Sequence, residues 1–177
     1  MGRMVALLRA VNVGGRKLPM AELRALCAEL GWTDVATYIQ SGNVVFSADA
    51  SPQEAETALE AVVAKTWGYD APAVVRTAPQ WAALPASNPF PDVGEAEPNR
   101  LMLLVSKDPP ADGAAETIEA RATAGERVRA SGGALWFHYP HGAGTSKLTP
   151  SLIDRAVGSP GTARNWRTVQ TLLGMLG

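Results

Sequence analysis

The sequence predicts an α+β protein with two similar halves. Short apolar runs at Met4–Leu8 and Leu101–Val105 suit buried strands opening each half. A helix with apolar residues at helical spacing follows the first run, and a weaker one follows the second. A Ser-Gly turn then recurs, as "SGNVVF" at 41–46 and as "SGGALWF" at 131–137.

Pro19 suits the first position of a helix whose inward stripe is Met20, Leu23, Cys27 and Leu30, with Gly31 at its C-terminal cap. Val35–Gln40 and Val44–Phe46 read as strands joined by a tight turn at Ser41–Asn43. "SPQE" at 51–54 is a capping box for a helix with Ala55, Leu59, Val62, Val63 and Trp67 inward. Ala73–Thr77 closes a βαββαβ order. In the second half a helix is expected over about 111–124, then strands at 127–130 and 134–139, then a helix begun by Thr149 and Pro150. "GTARNWR" at 161–167 reads as the start of a C-terminal helix carrying Trp166, Val169, Leu172, Leu173 and Leu176. The expected division is 1–78, a proline-rich packed connector at 79–99 anchored by Trp81 and Phe90, and 100–177.

The 177 residues are 46% hydrophobic and 19% charged, with a net charge of −1. That balance suits a globular core and does not indicate a global electrostatic grip on nucleic acid or an anionic membrane. Any anion site must be local. Cys27 is the sole cysteine, so neither an internal disulfide nor a cysteine zinc site is available, which fits a cytoplasmic location. The N-terminal apolar run is interrupted by Arg9 and is too short for a secretory core or a membrane span.

Three polar clusters are candidate sites. In a βαββαβ unit the first strand-to-helix loop and the hairpin turn fall at the same sheet end, so Asn12, Gly14 and Gly15 should neighbour Ser41, Gly42 and Asn43. Exposed backbone N–H groups there could hold an anion, with Arg9 beside them; ordinary turn chemistry explains the same residues. "HGAGTSKLTP" at 141–150 fails the phosphate-loop pattern, because Ser146 precedes Lys147 and Leu148 stands where Ser or Thr is required. What remains is a glycine loop, the Ser146–Lys147 pair and a helix start capped by Thr149. Arg164 and Asn165 form the third cluster; paired arginines at a helix start oppose its dipole unless an anion or a carboxylate is near. His138 and His141 lack a third ligand for a metal, and no cofactor motif is legible.

"LLRAVNVGGRKLPMAELRALCAELGWTDVATYIQSGNVVF", "SNPF", "TSKLT" and "TARNW" together resemble the bacterial family called domain of unknown function 1697, in order and nearly along the whole chain. The first segment is specific and "SNPF" is not. Ala10 and Val11 stand where the family pattern has Gly and Ile. The resemblance implies an α+β fold of two ferredoxin-like halves, and no assigned activity. It places Arg9, Asn12, Gly14, Gly15, Ser41, Gly42, Asn43, Ser146, Lys147, Leu148, Thr149, Arg164, Asn165 and Trp166 on the family's motif positions. Such side chains suit a phosphate-bearing small molecule or nucleotide better than an apolar ligand. Two other readings stay open. Aromatics on the sheet faces, Tyr38, Phe46, Trp136 and Tyr139, could stack single-stranded nucleic acid. The connector or a sheet edge could serve as a protein-interaction surface.

Overall fold

A computed structural model describes residues 1–177. Its chain divides into two units, residues 1–81 with 172–177, and residues 82–171. Each contains a four-stranded antiparallel sheet with helices.

In the first unit β1 (Gly2–Leu8) leads through a long loop to α1 (Met20–Glu29), and β2 (Thr33–Tyr38) and β3 (Asn43–Ala48) form the hairpin. The helix α2 (Pro52–Trp67) and strand β4 (Ala73–Thr77) complete the order, with the strands arranged β2-β3-β1-β4. β1 pairs with β3 through Val5↔Val45 and with β4 through Val5↔Arg76. The apolar run of β1 is buried throughout, as expected of a central strand. Trp32 stacks on Phe46 with 3.9 Å between ring centroids, and Leu23, Cys27, Leu59 and Val63 fill the core from the helices. Burial pushes the Cys27 thiol up to about 12, so it is a core residue rather than a reactive one. The capping box is formed: Ser51 Oγ accepts from Glu54 N, and Glu54 accepts from Ser51 N.

The second unit repeats the pattern. β5 (Leu101–Ser106), α5 (Ala114–Glu119), β6 (Arg127–Ser131), β7 (Ala134–His138), α6 (Pro150–Val157) and β8 (Gly161–Asn165) follow in order, with strands arranged β6-β7-β5-β8. The "SGG" segment turns between β6 and β7, so the faint repeat marks a real structural one.

Four details differ from the expectation. The first hairpin turns at residues 39–42, and Asn43 is already in β3, opposite both Tyr38 and Leu7. Pro19 is the N-cap of α1 in extended backbone (ψ 132°), not its first helical residue. The stretch 79–99 is mostly helical: α3 (Ala78–Ala86) and α4 (Pro91–Ala96) occupy it, with Trp81 and Phe90 buried. The prolines suit helix starts there, as at Pro91, although Pro85 lies inside α3. Finally, 161–165 is strand, and α7 (Trp166–Leu176) begins only after it. Gly161 lies 2.9 Å, at its would-be Cβ, from the Val105 carbonyl oxygen, a close approach that suits a small residue at this strand pairing.

Candidate functional site

The loop after β1 and the β2–β3 turn do meet at one end of the first sheet. Asn12, in left-handed backbone (φ 56°), donates through Nδ2 to the carbonyls of Leu18 (3.0 Å) and Gln40 (2.6 Å). Its Oδ1 accepts from Leu18 N at 2.8 Å. Leu8 N donates to Gly42 O at 2.9 Å. A Cβ on Gly42 (φ 87°) would lie 2.7 Å from Val11 Cγ2, so both conformation and space require glycine. Asn43 is fully buried and donates to Tyr38 O and to Ser41 Oγ, each at 3.0 Å. The side-chain amide of Asn12 thus ties the two loops together, while that of Asn43 closes its own hairpin turn. Gly14 and Gly15 remain exposed, with positive φ and open space around them, next to the exposed Val13; Arg9 is half-buried at the end of β1.

In the second unit Ser146 Oγ donates to Glu126 Oε2 at 2.7 Å and accepts from Leu148 N at 3.2 Å. Burial works against ionisation of Glu126, but the hydrogen bonds from Ser146 and from the loop amides outweigh it and hold the carboxyl below its usual range. This clamp, with the buried Leu148, fixes the chain on both sides of Lys147. Thr149 Oγ1 accepts from Leu152 N and caps α6 as its sequence predicts. Lys147 itself is exposed. It lines an open cavity of about 290 Å³ with Thr149, Leu152, Arg155 and Arg121. Leu152 and Arg155 sit three residues apart on one face of α6, and Arg121 follows α5. None of the three cations makes an ion pair. Arg121 and Arg155 were not legible as site residues because they lie far from Lys147 in sequence; packing of α5 against α6 supplies the proximity.

Arg164 corrects the reading of "TARNW". It lies in β8 opposite Leu103, 8% exposed, not at a helix start. Its Nη1 donates to Thr162 Oγ1 (2.6 Å) and Ala163 O (2.9 Å), and burial lowers its pKa to about 10. Asn165 Oδ1 accepts from Thr168 N at 3.0 Å and so caps α7. His138 Nδ1 lies 3.0 Å from Arg127 Nη2, while its Nε2, 3.4 Å from Glu97 Oε1, has no well-aligned partner. Of the four aromatics considered for stacking, Phe46, Trp136 and Tyr139 are buried and Tyr38 is half-buried. No helix is long and apolar enough to cross a membrane.

The fold and the basic cavity define an α+β protein of two strand–helix–hairpin units. A similar structure is that of the conserved bacterial protein SP0830 from Streptococcus pneumoniae, at 21% identity and a TM-score of 0.72 over 99% of each chain. That likeness shows the fold. Residues 1–136 match the family described as "Protein of unknown function (DUF1697)", and the chain belongs to that family. The match ends before the "TSKLT" and "TARNW" segments. No curated protein matches the chain.

Proposed function

We propose that the protein binds a phosphate-bearing or otherwise anionic small ligand, nucleotide-like in its charge, at the cavity of Arg121, Lys147 and Arg155. One observation carries the reading: three cations line one small cavity and none has a carboxylate partner. Like charges gathered without counter-charge repel, and an anion removes that repulsion while adding charge-assisted hydrogen bonds. Arg155 in the last turn of α6 is also favoured by the helix dipole; Lys147 and Arg121 gain nothing comparable. Thr149 adds a hydroxyl at the cavity wall, and Ser146 acts as the clamp that positions Lys147. The exposed Gly14–Gly15 backbone of the first unit is a second, separate anion-binding element in this proposal.

No acid, histidine or nucleophile with an adjacent base lines the cavity, so the reading is one of binding. The unit topology supports ferredoxin-like halves, since each is βαββαβ with its first strand central and its second at an edge. Calorimetric titration with inorganic pyrophosphate and with ADP tests the proposal. Saturable binding that weakens on the order of tenfold or more in Lys147→Ala and Arg155→Ala is expected. Absence of binding, or binding indifferent to both substitutions, contradicts it.

A further inference from the structure

The second unit holds a larger cavity, about 640 Å³, between α4 and the start of α7. Here "SNPF" and the end of "TARNW" come together. Asn88 and Trp166 both line it. A methyl group on Gly94 would lie 3.1 Å from Trp166 Nε1 and 3.2 Å from Asn88 Nδ2, so the two nitrogens border one point, and a buried glycine keeps that point open. Asn88 Oδ1 is already used, accepting from Phe90 N at 2.8 Å. Its Nδ2 and the Trp166 indole N–H donate to nothing in the protein. Arg167, exposed and in no ion pair, contributes a third donor group one residue on.

We infer that this cavity binds a small monocarboxylate with a flat apolar body. Convergent donors with no protein acceptor suit an oxyanion or carbonyl ligand, whose oxygens take the place of water on all of them at once. The charge balance selects among such ligands. The lining carries one cation, Arg167 on α7, and one carboxylate, Glu95 on α4, so the cavity has no net formal charge, unlike the triply basic cavity beside α6. One negative charge spread over two oxygens matches it, whereas a multiply charged phosphate meets Glu95. The Trp166 ring, tilted against Trp136 at 5.8 Å, and Pro85 and Pro91 offer apolar walls for a planar body.

The test follows the indole N–H resonances of the full-length ¹⁵N-labelled protein, with Trp166 assigned through Trp166→Phe. Benzoate is the probe; benzyl alcohol and inorganic phosphate are the comparisons. The Trp166 indole resonance shifts saturably with benzoate and far less with either comparison. Arg167→Ala weakens that response on the order of tenfold. Asn88→Asp, which keeps the oxygen that caps Phe90 N but removes the donor, abolishes it. Lys147→Ala leaves it unchanged, so this site stands or falls separately from the basic cavity. The other indole resonances report that each variant is folded. A Trp166 resonance unmoved by benzoate, moved equally by phosphate, or moved equally in folded Arg167→Ala and Asn88→Asp overturns the inference.

Discussion

The side-chain amide of Asn12 donates to the carbonyl of Gln40 at 2.6 Å, tying the loop after β1 to the first hairpin turn. Because the same side chain brackets Leu18 through both its oxygen and its nitrogen, Asn12 works as a three-way strut. Asn12→Ala should cost about 1–3 kcal/mol in denaturant unfolding, since part-buried loop groups lose partners and an alanine must hold positive φ. Pyrophosphate binding at the basic cavity should survive it. A cost below about 0.5 kcal/mol would mean that water replaces the strut without penalty.

Two glycines separate conformation from space. Gly42→Ala meets Val11 and Leu8 and also keeps a left-handed backbone, so a loss of about 2–4 kcal/mol is expected. Gly14→Ala (φ 56°) faces open space, and only the backbone term of about 1–2 kcal/mol applies. Equal losses measured by chemical denaturation would contradict the steric account of Gly42.

Cys27 gives a pH dependence with a defined sign. Its thiol rises from 9.0 to about 12 on folding, so the folded state holds the proton more tightly. The stability from that proton is fully present below pH 9 and is lost as pH climbs toward 12. Between pH 9 and 10 the unfolding free energy should fall more steeply in the wild type than in Cys27→Ala. Native Cys27 should also resist a thiol reagent until the protein unfolds; rapid labelling of the folded protein would refute its placement in the core.

The legible parts of this fold are those that local sequence determines. The β1 run, the Ser51–Glu54 capping box, the Thr149 cap and the Gly132–Gly133 turn depend on residues a few positions apart. The Arg164 segment reads as a helix start in sequence because its strand character comes from pairing with β5, Met102 opposite Asn165, which lies far away along the chain. Polar residues before an apolar stripe look like a helix start, and Asn165 does cap α7; the strand runs up to the cap. The candidate site divides in the same way. Lys147 and Thr149 were visible beside their glycine loop, while Arg121 and Arg155 reach the cavity only through tertiary packing. Asn88 sits in too plain a motif to stand out, and only Gly94 and Trp166 give it meaning.

Unpaired like charges also predict an effect without any ligand. Lys147→Ala should leave thermal stability unchanged or raise it slightly, and added pyrophosphate should raise the melting temperature of the wild type more than that of the variant. A clear loss of stability in Lys147→Ala would show that the lysine is a structural residue.

The most direct measurement is a titration of the full-length protein with inorganic pyrophosphate, following backbone amide resonances at two salt concentrations. Anion binding at the basic cavity predicts saturable shifts centred on Lys147, Thr149, Leu152 and Arg155, weakening as salt rises and lost in a Lys147→Ala, Arg155→Ala double variant. Shifts at these cavity residues that never saturate or that persist in the folded double variant, or no shifts at them at all, would contradict the account.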